Sequence, residues 1–424
     1  MNNTIQLVKT EKNNQLVNFI YEVSGDIAKY LYPKRNFAVK YPFDINDIPE
    51  SILNVTFAGN FLPFIFLFNV TLTVPALDSA FYYCIEDVRK GYQEMYPRMP
   101  FNGNVIVKKL YNEFQTPKET ALRNTASFFS GGVDAYTTLF RHLDEKPFLL
   151  TLHGADIKLD DLKGWDSLSS LTKIASAEYS LENIFISSEF RLLFNEGALI
   201  RFLEPSGDRW WHGFQHGIGI ISHGAAVAYK YNLSTIYIAS SFSKDQKNTY
   251  TCASDPTIDN HIRFGFTKIV HDGYELNRQN KIHYLCQQGN NTHHFAKVHV
   301  CFQQAEGKNC CHCEKCYRTI LEIIAEGADP NDFAFEWNIE SVKAFEKSLK
   351  SYSLEINDAG ISRYYVPVQK LMKLNKDKIK NYEWYEWFTK FDFEEYSRQL
   401  SLKLKQRYSH PRIKKILRKI KLMR

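Results

Sequence analysis

The sequence predicts an α/β protein built on an open parallel sheet. An α+β region precedes that sheet over residues 1–120, and a helical extension follows it over residues 331–400. Three observations lead there. From Ala126 the chain reads as strand, glycine turn, helix and strand, in the order ASFF, SGGVD, AYTTLFRHL and PFLLTLHG. A second helix-like run at residues 222–231 is followed by the β-rich LSTIYIASS. Alternation of this kind argues for a parallel sheet covered by helices. Finally, 424 residues with 44% hydrophobic and 24% charged side chains give an ordinary globular composition, long enough for more than one core. With only 20 Gly and 14 Pro, a collagen-like or low-complexity chain is excluded.

Residues 1–120 read as short apolar strands with one helix near residues 79–94, and they carry no chemical motif. The opening MNNTIQLVKTEKNNQ lacks a basic segment followed by an apolar run, so no signal peptide is expected. Residues 51–77 contain no charged side chain and are nominally long enough to span a bilayer. They also hold Asn54, Asn60, Asn69, Gly59, Pro63 and Pro75, and the FLFNVTLTV portion alternates with β-branched residues. The expectation is therefore buried strands joined by turns.

The turn at Ser130, Gly131, Gly132, Val133 and Asp134 ends a strand and opens a helix. Its glycines permit backbone conformations closed to other residues, so several N–H groups can face one concavity. With the positive end of a helix behind it, such a turn can hold phosphate. A tight strand-to-helix turn needing glycine for geometry alone is the other reading. No Gly-Lys-Ser/Thr follows, and G-x-G-x-x-G is absent, so neither a Walker A loop nor a dinucleotide fingerprint is present.

Of eight cysteines, five fall within a 16-residue window, which is not how a disulfide framework is spread. The spacing Cys301-x8-Cys310-x2-Cys313-x2-Cys316 lets four thiolates converge on a metal in a reducing compartment, and the expected location is the cytoplasm. Zinc suits four sulfurs, an iron–sulfur cluster is the rival, and the embedded Cys311 and His312 could substitute as ligands.

Both motifs resemble one family. The SGG-x-D turn is similar to the signature of PP-loop ATP pyrophosphatases, which cleave ATP to AMP and pyrophosphate while adenylating a substrate. Pairing that loop with a Cys-x8-Cys-x2-Cys-x2-Cys zinc motif, in this order, resembles the 7-cyano-7-deazaguanine synthases and their relatives. Arg318, just past the last cysteine, fits a basic residue often found there. The resemblance covers roughly residues 125–326, about half of the chain. It implies an adenine-nucleotide α-hydrolase-like (PP-loop) sheet over residues 121–330. It also implies ATP and Mg²⁺ at Ser130, Gly131, Gly132, Val133 and Asp134, and Zn²⁺ on Cys301, Cys310, Cys313 and Cys316. Asp134 would organise metal and phosphates. Residues 269–282 resemble a basic segment near the nucleotide in that family, so Arg278 or Lys281 could neutralise phosphate; a solvated helix charge is the alternative for each. Ala135 departs from the usual Ser or Thr, whose hydroxyl reaches the phosphates.

The reaction this implies is activation of a carboxylate or amide oxygen as an adenylate, followed by attack of ammonia or another amine. The substrate would be a small-molecule carboxylate or a modified base, and the enzyme could act as a homodimer. A tRNA-modifying PP-loop enzyme and a nucleotide-binding interaction module without catalysis are alternatives. Trp210-Trp211-His212-Gly213 and His216-Gly217 have the composition of a pocket wall, or of core packing around a loop. Residues 401–424 carry ten Lys or Arg and no Asp or Glu. Without them, 43 of the 53 basic residues face 47 acidic ones, so a basic body tracking nucleic acid is not supported. Ile413, Ile416, Leu417 and Ile420 make one apolar stripe on a basic helix, suited to an anionic membrane surface, to RNA, or to docking on the acidic body.

Overall fold

The computed structural model describes residues 3–114, 123–247, 249–301 and 308–409. The tail helix expected from Pro411 onward lies outside the described residues.

Eleven strands among the described residues join one sheet in the order β10-β11-β9-β6-β7-β8-β3-β2-β1-β4-β5. The first half of the chain supplies β1 (Thr4–Asn13), β2 (Leu16–Ser24), β3 (Asn36–Lys40), helix α1 (Glu50–Phe68), β4 (Thr71–Asp78), α2 (Ser79–Met95) and β5 (Asn104–Tyr111). Then come β6 (Thr125–Phe128), α3 (Val133–Arg141), β7 (Phe148–His153), α4 (Leu162–Glu178), β8 (Asn183–Ser188) and α5 (Glu196–Leu203). They are followed by α6 (His216–Ile221), α7 (Gly224–Tyr231), β9 (Thr235–Ala239), α8 (Pro256–Asp259), β10 (Arg263–Phe264) and β11 (Thr267–Asp272).

The expected parallel sheet is present: β8, β7, β6, β9 and β11 pair in parallel in that spatial order. Every residue of β6 and β7 is buried, Thr125, Ser127, Thr151 and His153 included, as expected of central strands covered on both faces. The chain leaves β6 to one side for β7 and β8, and takes up its other side with β9 and β11. That reversal beside β6 makes a crevice at the carboxyl ends of the strands, where ligands settle in open α/β sheets. The five N-terminal strands continue the same sheet, joined by the antiparallel pairing of β3 with β8. The chain forms two compact units, one of Met1–Ser130 with Asp134–Arg278 and one of Gly131–Val133 with Gln279–Arg424.

Residues 51–68 correct an expectation: they form helix α1 and not strands, and only β4 keeps the extended form expected of the stretch. Seventeen of the helix's 19 residues are buried, so no polar face exists to reveal a helical period. The asparagines read as turn formers instead hydrogen-bond within the core. Asn54 accepts from Thr10 at 2.6 Å and donates to the Ala76 carbonyl at 2.9 Å. Asn60 donates to Ser222 Oγ at 3.2 Å. Asn69, in the left-handed conformation, closes the helix. The helix is long and apolar enough to cross a membrane by length and composition, yet 94% of its apolar window is buried within the protein.

The described residues of the second unit are helical, including those of the extension expected over residues 331–400. The unit contains α9 (Arg278–Thr292, of which Arg278 belongs to the first unit), α10 (Glu314–Ala325) and further helices at Ile339–Lys350, Val366–Leu374 and Phe393–Ser409. Tyr317, Phe345, Leu349, Tyr365 and Phe388 form its core.

His223 ties α7 to β8 in the sheet unit. Its Nδ1–H donates to the Gly219 carbonyl at 2.7 Å, which leaves Nε2 to accept from Ser188 Oγ at 2.7 Å. Burial lowers its pKa from 6.5 to about 4. The neutral ring's bonds are complete above pH 6.5, and their contribution is lost as pH falls through about 4. The denaturant midpoint should drop across that window, and His223→Gln should show a shallower drop. Parallel profiles for the two proteins would remove His223 as the titrating group.

Candidate functional site

The glycine turn emerges at the carboxyl end of β6. Phe129 N–H donates to the Leu150 carbonyl at 2.9 Å, and Thr151 Oγ1 donates to the Phe129 carbonyl at 2.9 Å, so the strand stays ordered up to the turn. Ser130 is exposed. Gly131 has φ +72°, and nothing lies within 4 Å of where a Cβ would stand. Glycine is required there for its backbone conformation and not for room. Val133 is buried and begins α3, whose first turn carries the positive end of the helix dipole.

Asp134, in the first turn of α3, lies with Oδ2 3.8 Å from a guanidinium nitrogen of Arg278. Two residues singled out from sequence thus meet at the turn. Arg278 is 14% exposed at its side chain, and Lys281, three residues further along α9, is 2% exposed. Neither is the solvated helix charge of the alternative reading. Ala135 is buried.

A charged brace behind α3 was not legible from sequence. Asp272, at the end of β11, accepts from Thr138 Oγ1 at 2.9 Å, Arg141 Nε at 3.2 Å and His142 Nε2 at 3.2 Å. Burial alone would raise the Asp272 pKa, but His142, Arg141 and Thr138 together hold it below the usual value. His142 also meets Glu145 at 2.9 Å and stacks on Tyr237 with 3.7 Å between ring centres. This fixes the helix behind the turn to the far side of the strand reversal. The only sequence signal was an aspartate closing the apolar run at residues 269–272.

The cysteine cluster assembles in the second unit. The sulfurs of Cys301, Cys310, Cys313 and Cys316 all lie within 4.8 Å of one another, a set that can hold a metal such as zinc. Cys310 N–H points to Cys301 Sγ at 3.4 Å and Cys313 N–H to Cys310 Sγ at 3.3 Å, so main-chain donors already face the sulfurs. Two of the thiols have raised pKa values: Cys316 rises far above the usual range through its Cys313 neighbour and burial, and burial pushes Cys310 up to about 11. Four sulfurs converged this closely form a donor set that fits a bound divalent ion.

The two substitutes stand outside the set. Cys311, at φ +56°, directs its sulfur to the Asn309 carbonyl and accepts from Glu336 N–H at 3.3 Å. His312 is exposed and donates through Nδ1 to the Cys310 carbonyl at 2.6 Å. Arg318 packs its guanidinium 4.3 Å from the centre of the Tyr364 ring and pairs with Glu314 at 3.7 Å. Asn309 was missed in the sequence: it accepts from Val300 N–H at 2.9 Å and donates to the Val298 carbonyl at 2.8 Å, clamping the segment that leads into Cys301.

The aromatic passage at 210–217 is largely core packing. Trp210 is 1% exposed and bonds Gln215 at 2.9 Å, while Trp211 lies 4.1 Å from the Arg191 guanidinium. Gly217 is needed because a Cβ would meet the Ala253 carbonyl at 2.3 Å. A cavity of about 250 Å³ does open nearby, but Phe242, Tyr250, Thr251 and Tyr274 line it instead of these residues.

No family model matches the chain, and no curated protein matches it.

Metal analysis of the purified chain should find about one zinc per molecule, bound by the four thiolates. Cys313→Ala should lose it and expose the surrounding segment to proteases, because metal binding and local folding are one process. Iron with labile sulfide would assign a cluster instead.

Proposed function

We propose that the chain is an ATP-dependent enzyme of the PP-loop pyrophosphatase kind, similar to 7-cyano-7-deazaguanine synthases, that adenylates a carboxylate or amide oxygen. One observation carries the reading. A glycine turn with a positive-φ residue leads from β6 into α3 beside the strand reversal, with Asp134 and Arg278 meeting at 3.8 Å.

The turn offers main-chain donors and a helix N-terminus but no lysine of its own for a γ-phosphate. Such a site favours holding β- and γ-phosphates together as a leaving pyrophosphate. A substrate oxygen attacks the α-phosphorus, the bond from that phosphorus to the bridging oxygen breaks, and pyrophosphate departs with the electron pair. Ammonia or an amine then attacks the adenylated carbon, loses a proton and expels AMP. Arg278 neutralises phosphate charge, and Lys281 is the second cation that the family resemblance implies. Bound Mg²⁺, for which Asp134 is the candidate carboxylate, supplies further neutralisation of phosphate oxygens. Zinc on the four cysteines is structural, since its sulfur set leaves no open position. The cytoplasm suits those reduced thiols.

A second reading rests on Ala135. Its buried methyl offers no hydroxyl to a phosphate, which suits a module that binds nucleotide without turning it over.

Product analysis with α- and γ-labelled ATP, across carboxylates with ammonium, should yield AMP and pyrophosphate. Asp134→Ala should reduce turnover by about 10²-fold or more while thermal stability holds. Gly131→Val should abolish nucleotide binding, because a branched side chain strongly resists positive φ. ADP as the product would overturn the mechanism. Tight ATP binding without turnover on any substrate would favour the second reading.

A further inference from the structure

We infer that the cysteine-held metal sets the anion-binding form of the glycine turn, acting through the main chain of His299. The inference rests on the proposed reading only in taking the turn as a phosphate site. Its mechanical part stands on the second unit alone, to which Gly131–Val133 belong although the residues on either side of them do not.

The link is a single peptide. His299 N–H donates to the Gly131 carbonyl at 2.8 Å. In a trans peptide the C=O and the following N–H point in opposite directions. Holding the Gly131 carbonyl toward His299 therefore turns the Gly132 N–H away from it. Two consecutive glycines make rotation of that peptide cheap, because neither residue pays a side-chain penalty for the alternative backbone angles. Rotated, the same peptide would offer an oxygen where phosphate needs a donor. The His299 bond selects the donor form.

His299 is itself held by the metal site. It lies between Val298, whose carbonyl accepts from Asn309 Nδ2 at 2.8 Å, and Val300, whose N–H donates to Asn309 Oδ1 at 2.9 Å. Asn309 is 9% exposed and also bonds the Ala334 carbonyl at 3.1 Å. Cys301 ends this segment and Cys310 follows Asn309, so two metal ligands bracket the clamp. With the four sulfurs drawn together, residues 298–301 and 309–316 are fixed to each other. Without the cation, the crowded thiols have no reason to stay converged, and the segment bearing His299 loses its anchor. His299 is in this sense a positioning residue.

Two measurements on the full-length chain test this. Calorimetric binding of inorganic pyrophosphate and of Mg-ATP should weaken by about ten- to a hundredfold on chelation, the range for a lost hydrogen bond to a charged group, and recover on adding zinc. Asn309→Ala should weaken binding likewise while retaining metal. His299→Pro, which removes the donor, should weaken it more than His299→Ala, which keeps it. Hydrogen exchange should show residues 129–134 losing protection on chelation while β7 and β9 keep theirs, which separates a released turn from general unfolding. Equal protection and equal affinity with and without metal would overturn the inference, as would identical behaviour of the two His299 variants. If the metal-loaded protein binds neither probe, the functional reading fails. Exchange at residues 129–134 then still decides: unchanged protection on chelation rejects the coupling, and lost protection sustains it.

Discussion

The sheet unit depends on β6 having a parallel neighbour on each side. Four residues make a strand too short to hold its place by one ladder. Ala126 to Phe128 pair with β7, and Thr125 to Ser127 pair with β9. Both faces are buried as well, so the strand is enclosed in every direction except along its axis. Its carboxyl end is where the chain can open, and what stands there is the glycine turn. The brace from Asp272 to Thr138, Arg141 and His142 follows from the same arrangement. Once β9 and β11 fill the far side of β6, the end of β11 comes within reach of the helix leaving the turn.

Burying polar groups so deeply is tolerated only where each finds a partner. Asn54 and Asn60 meet that demand in α1, His223 between Gly219 and Ser188, and Asp272 among three donors. The bonds of Asn60 to Ser222, His223 to Ser188 and Asp272 to Thr138 join elements far apart in sequence, so these residues also fix which elements lie against each other. An all-apolar α1 would be buried as readily, but it could slide and rotate among its neighbours. Asn60, Thr56 and Gly59 against Ser222 set one register: Thr56 donates to the Ser222 carbonyl at 3.1 Å, and at Gly59 a Cβ would lie 2.6 Å from that of Ser222.

What could be read from sequence was local. The β6–turn–α3 passage, α2, the α7–β9 passage and the four-cysteine convergence each declare themselves within some 20 residues, through periodicity, glycine placement or ligand spacing. Helix α1 hid because periodicity needs a polar face for contrast, and its asparagines resembled turn formers while serving as core hydrogen-bond partners. Arg278 was suggested by resemblance, but its nearness to Asp134 depends on how α9 begins after β11. Asp272 and Asn309 act through partners that the fold supplies, and His299 acts through a backbone N–H that every residue but proline possesses. No residue-type pattern could have marked it.

The charges at the turn impose a further constraint on any anion that binds there. Asp134 sits at the N-terminus of α3, where a carboxylate is itself favoured by the helix dipole. A phosphate drawn to the same donors would meet that carboxylate, and Arg278 at 3.8 Å can offset only one of the two anions at a time. A polyphosphate of several negative charges therefore calls for positive charge beyond Arg278. On the proposed reading a divalent ion shared by Asp134 and the phosphates would turn the carboxylate from a competitor into a ligand. On that reading, the same balance would favour aspartate over alanine or asparagine at this position. A neutral residue would remove the repulsion, but also the carboxylate that on the proposed reading would bring the ion.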